Sequence, residues 1–203
     1  MNLPIEKISE IISTRISHDM VGNIGAVSNA VELLEEGDMD FLSDIKSILK
    51  VSSSVLSARM KFFRLSFGLG NSDLKDTAKV REISQNYLNT LGNAKQSPIK
   101  LEAHLQENGL NREAMLTIMS LADTIIKGGK IEIETAQNSI AAVVSSEYTL
   151  SEEKINTMKE ILKGNLPENL SLYAPFIYLA TRVQGKGKKI ELKDMEGLAV
   201  LIR

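Results

Sequence analysis

The 203-residue chain contains no cysteine, which excludes a disulfide framework, a thiolate zinc site and a cysteine nucleophile together. It has only two histidines, His18 and His104, too few for a histidine metal cluster. Neither sign of charge is in excess: 24 lysines and arginines against 26 aspartates and glutamates leave a net charge of −2. A strongly basic nucleic-acid binder is therefore excluded. No apolar run approaches the ~20 residues that span a bilayer, and Glu6, Glu10 and Arg15 interrupt the apolar positions of the N-terminal stretch, unlike a secretory signal. What remains is ordinary globular composition, 43% hydrophobic and 25% charged, rather than the composition of a disordered chain. A chain this long buries roughly 70% of its unfolded surface and needs no covalent staples. The expectation is a cytoplasmic protein with no membrane and no nucleic-acid partner.

The apolar residues give the organisation. Ile5, Ile8, Ile12, Ile16, Met20, Ile24, Val27, Val31 and Leu34 recur at three- and four-residue spacing, the signature of an amphipathic helix. Pro4 suits its first turn and Gly37 its end. Asp38 or Asp40 can cap a second helix carrying Phe41, Ile45, Ile48, Leu49, Val55, Leu56, Phe62 and Phe63, closed by Phe67-Gly68-Leu69-Gly70. Two such helices make an antiparallel hairpin about 45 Å long. A lone hairpin cannot hide both stripes, so a twofold dimer completing a four-helix bundle is expected. Beyond position 70 the pattern changes. Helices are predicted over 72–91 (capped by Ser72 or Asp73), 111–127, 151–163 and 172–184, and strands over 99–105, 130–136, 139–146, 188–193 and 197–202. The fold class is α+β: a helical hairpin over 1–70 and an α/β sandwich with a mixed sheet over 71–203.

His18 is the residue that invites chemistry. At 100° per residue it projects almost opposite the stripe through Ile12, Ile16, Val27 and Leu34, with Thr14 and Arg15 behind it and Gly22, Gly25 and Asn29 ahead. Each glycine costs about 1 kcal/mol relative to alanine inside a helix. In return they leave a shallow surface on which another backbone can lie close to the imidazole; a kinked helix with an ordinary surface histidine is the plainer alternative. Neutral imidazole, with an unperturbed pKa of about 6.5, is a good nitrogen nucleophile near neutral pH. The neighbouring Asp19 can accept a hydrogen bond from one ring nitrogen and leave the other free to attack. Phosphoryl transfer, in which positioning dominates, suits such a group.

The segment Ser17-His18-Asp19-Met20-Val21-Gly22-Asn23-Ile24-Gly25-Ala26, followed by Asn29, Glu32, Leu33, Leu34 and Glu35, resembles the start of the ChpT-type histidine phosphotransferases. Arg59-Met60-Lys61-Phe62-Phe63-Arg64-Leu65-Ser66-Phe67-Gly68 resembles the end of that family's second helix. The specific match covers the first 70 residues; the remainder agrees in element order, with a histidine hairpin followed by a degenerate kinase-like ATPase domain. The resemblance implies that His18 is transiently phosphorylated, that Asp19 orients it, and that hairpins pair into a homodimer. It implies a relay from the receiver domain of a hybrid histidine kinase to response regulators, including those of the CtrA type. Arg15, Gly22, Asn23, Gly25, Asn29, Arg59 and Arg64 become candidate partner-binding residues, the arginines by lending charge near phosphate. The chain departs from sensor kinases at Gly22, where a Thr or Asn linked to dephosphorylation often stands; Asn23 lies one place later.

An ATP-dependent kinase needs an Asn-bearing helix for magnesium and an Asp-x-Gly-x-Gly loop. The helix that should carry the first reads Leu116-Thr117-Ile118-Met119-Ser120-Leu121-Ala122-Asp123, and the second occurs nowhere in the chain. No cofactor of its own is expected, neither ATP nor metal, with magnesium belonging to the partner receivers. Gly185-Lys186-Gly187 alone is weak evidence for a phosphate loop. Together with Lys188 and Lys189 it reads as a solvated basic turn that could meet an acidic receiver. His104 reads as a surface residue on a strand's wet face, and Phe62, Phe63 and Phe67 as core. A non-catalytic dimeric scaffold and a phosphatase for receiver domains are the competing readings.

Overall fold

A computed structural model describes residues 3–37, 41–69, 73–107, 109–194 and 197–203. The described residues form a long antiparallel pair of helices, α1 (Ile5–Glu35) and α2 (Leu42–Phe67), followed by α3 (Thr77–Ala94), β1 (Ile99–His104), α4 (Asn111–Thr124), β2 (Gly129–Thr135), β3 (Ile140–Ser145), α5 (Glu152–Lys163), a 3₁₀ turn (Leu170–Tyr173), α6 (Ala174–Gly185), β4 (Ile190–Asp194) and β5 (Leu198–Ile202). The expected α+β class is what folds.

The helix ends follow local chemistry. α1 stops where Gly37 takes a positive φ of 75°, the left-handed conformation that glycine adopts without penalty. The expected caps at Asp38, Asp40 and Ser72 lie outside the described residues. Asp73 is not the cap of α3: its carboxylate is taken by Arg64 at 3.1 Å and Lys79 at 2.9 Å, and Asp76 accepts from the Lys79 amide instead. α3 also runs past position 91, where the sequence predicts its end, through Gly92 to Ala94. Gly92 serves a close approach, because a Cβ there would stand 3.0 Å from the Ser97 carbonyl. α4 ends at Thr124, short of Gly128-Gly129, where Ile125 turns extended to bridge Leu150 and the Thr124 carbonyl accepts from the Ser151 amide at 2.8 Å. Ser151 caps α5 as its sequence implies. Pro175 in the first turn of α6 separates that helix from the 3₁₀ turn, dividing what the periodicity reads as one helix.

The five strands form one mixed sheet in the order β1-β2-β3-β5-β4, parallel between β1 and β2 and antiparallel elsewhere. One face is lined by Ile131, Ile133, Ile140, Ala142, Val144, Val200 and Ile202, all buried against the helices. α4 is the hub: every residue from Asn111 to Ala122 is buried. The core does not stop at the hairpin. Ile11 of α1 and Phe62, Phe63 and Leu65 of α2 belong to the same continuous cluster as α4 and the sheet, and Phe62 stacks on Tyr87 of α3 with ring centroids 4.1 Å apart. Part of each hairpin stripe is therefore covered by the chain's own α/β domain rather than by a second hairpin. Much of the rest is bare: Val21, Ile24, Val31 and Leu34 of α1, and Ile48 and Val51 of α2, are exposed, while Ile45 is buried between the helices and Val27 and Leu49 are half-buried.

Candidate functional site

His18 stands on the outer side of α1 with its side chain 73% exposed. Its Nδ1 lies 3.4 Å from Asp19 Oδ1, longer than a formed hydrogen bond but within a small rotation of one. The helix supplies the support behind it. Arg15 sits one turn before Asp19, so their side chains meet on one face, and Arg15 Nε donates to Asp19 Oδ2 at 2.8 Å.

The rest of the Arg15 guanidinium faces inward. Nη1 donates to Asp123 Oδ2 at 2.9 Å and to the Leu172 carbonyl at 2.9 Å, while Nη2 donates to Asp123 Oδ1 at 2.8 Å. This is the bidentate fork that arginine forms with a carboxylate. Burial opposes the charge of Arg15, but the Asp123 carboxylate outweighs it and holds the guanidinium above its ordinary range. Arg15 is thus a buried link from α4 to the residue beside the histidine, and its donors are committed within the chain.

Arg59 of α2 completes the frame from the other helix. Its Nη1 donates to the Asp19 carbonyl, and its Nε to Thr90 Oγ1 at 3.3 Å. The Thr90 hydroxyl in turn donates to the Tyr87 carbonyl at 2.7 Å. The Tyr87 phenol is fully buried and has no hydrogen-bond partner among the described residues. Burial and the nearby Asp123 push its pKa far above the ordinary value, so it stays neutral. Two arginines against two aspartates make the cluster under His18 formally neutral, so it presents no excess negative charge to an approaching phosphate.

The sequence-derived candidates divide accordingly. His18, Asp19, Arg15 and Arg59 are brought together. Gly22 and Gly25 lie ahead of His18 on the exposed side, and a Cβ at either would meet nothing within 4 Å, so no packing within the chain explains them. Asn29 is exposed and Asn23 half-buried farther along α1. Arg64 is not part of the cluster; it pairs with Asp73 at 3.1 Å and is largely exposed. His104 is exposed on β1. Asp123, the Leu172 carbonyl, Thr90 and Tyr87 escaped the sequence reading, because contacts spanning 31 to 157 positions leave no periodic trace.

The C-terminal half of α4 lines a cavity of only about 10 Å³, with Ser120, Asp123, Lys154, Leu172, Tyr173 and Phe176 among its walls, at the lower limit for one water molecule. Among the described residues no group of three or more His, Asp or Glu side chains is placed to hold a metal ion. No helix among them is long and apolar enough to cross a membrane.

Comparison with known proteins gives two findings. The chain is 33% identical over 93 residues, 43% of its length, to the protein phosphotransferase ChpT of Brucella abortus (strain 2308), and spans 44% of that relative. Likeness to a ChpT phosphotransferase, expected from the residues around His18, is thus found in sequence over less than half of either chain. In fold the match is complete: a solved bacterial phosphotransferase superposes with a TM-score of 0.76, covering 100% of this chain and 98% of the other at 21% identity. No protein-family profile matches the chain.

Proposed function

We propose that this chain is a histidine phosphotransferase that relays a phosphoryl group between aspartates of receiver domains through His18. The observation that carries the reading is the geometry at that position: an imidazole 73% exposed, beside a carboxylate whose oxygen away from the ring, Oδ2, is anchored by a buried arginine. A small rotation of the ring brings Nδ1 within hydrogen-bond reach of Asp19 Oδ1, and with the Nδ1 proton held there the Nε2 lone pair is free as the nucleophile. Nε2 attacks the phosphorus of an aspartyl phosphate, the phosphorus–oxygen bond breaks, and the receiver's carboxylate leaves with the electron pair. Nδ1 keeps its proton throughout, and Asp19 stabilises the cationic ring that forms. Attack by the carboxylate of a second receiver reverses the step. The magnesium that steadies the phosphoryl oxygens belongs to the receivers, on which the acceptor aspartates lie.

Gly22 and Gly25 let a partner's backbone approach the imidazole. By resemblance the donor is the receiver of a hybrid histidine kinase and the acceptors are response regulators of the CtrA type. The exposed apolar residues Val21, Ile24, Val31, Leu34, Ile48 and Val51 form the seam of a homodimer, with two hairpins making a four-helix bundle. In this reading the chain works without ATP, because the Asn-bearing helix motif and the Asp-x-Gly-x-Gly loop of an ATP-dependent kinase are missing from its sequence.

The test follows radiolabel from a phosphorylated receiver domain onto wild-type protein and His18→Ala. Acid-labile label on the wild type and none on the variant is expected. Receiver binding without any label on the wild type would make the chain a scaffold. Release of free phosphate without a labelled intermediate would make it a phosphatase, a role for which Gly22 offers no water-positioning side chain.

A further inference from the structure

A second cavity, of about 490 Å³, lies at the opposite end of α4 from Asp123. Its size falls in the range of small-molecule sites. Lys75, Arg112, Arg182 and Lys186 line it, with Glu107 the acidic side chain among its walls. These cations come from three separate stretches: the segment leading into α3, the first turn of α4, and the last turn of α6 with the residue after it. The basic turn at Gly185-Lys186-Gly187, which the relay does not use, is thereby given neighbours.

Each wall is held from behind. Asn111 Nδ2 donates to the Leu74 carbonyl at 2.7 Å and fixes the segment carrying Lys75. Arg112 Nε donates to the Leu65 carbonyl at 3.1 Å. Glu113, 1% exposed, holds Arg182 at 2.8 Å and Lys186 at 2.9 Å through the same oxygen. Burial, and after it the charge of Arg182, pulls the Arg112 pKa down, as expected of two guanidiniums crowded on one side. Four cations against two carboxylates leave an excess of two positive charges around one concavity. Arginine forks are the side chains best matched to phosphate oxygens, with lysines adding point charge.

We propose that this cavity binds a phosphate dianion, free or as the monoester of a small metabolite. The site is separate from His18 and does not rest on the relay reading. A bound dianion would bridge the entry to α3, α4 and α6, with α2 tied in only through the bond from Arg112 to the Leu65 carbonyl.

The test titrates the full-length protein with inorganic phosphate and with ribose 5-phosphate, reading heat and backbone amide shifts. Submillimolar binding with shifts at Lys75, Arg112 and Lys186 is expected. Binding should weaken at least tenfold in the double variant Lys75→Gln/Lys186→Gln, and as pH falls through each probe's second pKa, which for the monoester is about 6. Lys75 is exposed, so Lys75→Gln alone keeps the test valid should the double variant unfold. Equal affinity for both probes identifies free phosphate as the ligand, and tighter binding of the sugar phosphate identifies a monoester. No binding of either probe below about 10 mM, or equal affinity in the variants, overturns the proposal.

Discussion

Replacing Asp123 with alanine removes two of the four hydrogen bonds that Arg15 makes and leaves the guanidinium buried with Asp19 and the Leu172 carbonyl as its remaining acceptors. Removing one partner of a buried ion pair costs about 3–5 kcal/mol. Here Asp123 is 20% exposed, so water partly replaces it, and Asp19 still balances the charge. A loss of about 2–3 kcal/mol is expected, measured by urea unfolding monitored at equilibrium. The same change frees the Arg15–Asp19 pair to shift, and misplacement by about 1 Å can slow a transfer step by up to about 100-fold. Phosphoryl transfer onto His18 should therefore fall together with stability, although Asp123 touches neither the histidine nor the phosphate. In Arg15→Met/Asp123→Leu, which removes both charges, most of the lost stability should return while transfer stays slow, because Asp19 remains unanchored. A loss below about 1 kcal/mol in Asp123→Ala, or a double variant that transfers at the wild-type rate, would refute the argument.

Other consequences are open to simpler assays. Gly22→Ala should stabilise the protein by about 1 kcal/mol, whereas Gly22→Gln should fold as well as wild type yet accept label more slowly from a receiver, as single-turnover kinetics would reveal. Ile24→Asp and Val51→Asp place charge on the exposed stripe; under the proposed homodimer, sedimentation should report dimers for the wild type and monomers for either variant, and a monomeric wild type would refute that proposal. Burial alone would raise the Glu113 pKa, but its bond to Lys186 and the charge of Arg182 hold it below the ordinary carboxylate range. Its stabilisation is therefore present above the unfolded value of about 4.3 and lost as pH falls through the lower folded value. The acid limb of a stability profile should be shallower in Glu113→Gln than in wild type, and identical limbs would exclude this role.

The periodicity of α1 and α2 was plain in the sequence because each repeats its apolar residues every turn over more than 25 residues. The strands were equally plain where one face is wet, as in Lys130-Ile131-Glu132-Ile133-Glu134. Helix ends were less legible: α3 starts at Thr77, capped by Asp76, rather than near Ser72, because Asp73 is engaged by Arg64 and Lys79, a competition that no local pattern records. At the site, exposure of His18 followed from its angle to the stripe. The angle misled for Arg15, which the same wheel puts near the histidine's face. A long side chain with a charged end can turn back to a carboxylate brought within reach by folding, and Asp123 lies 108 positions away. The dimer expectation rested on the length of apolar stripe to be covered; the structure divides that length, giving the lower part to the α/β domain and leaving much of the upper part bare.

The Arg15–Asp123 link bears on how this chain could be dissected or re-engineered. A fragment ending at position 70 would expose Ile11, Phe62, Phe63 and Leu65 to water and strand a charged guanidinium without its principal acceptor. The histidine hairpin is accordingly not a portable cassette: grafted onto another carrier it would have to bring a replacement for α4 with it. A domain without the motifs of a nucleotide site can serve as a splint, fixing the geometry of a histidine it never touches.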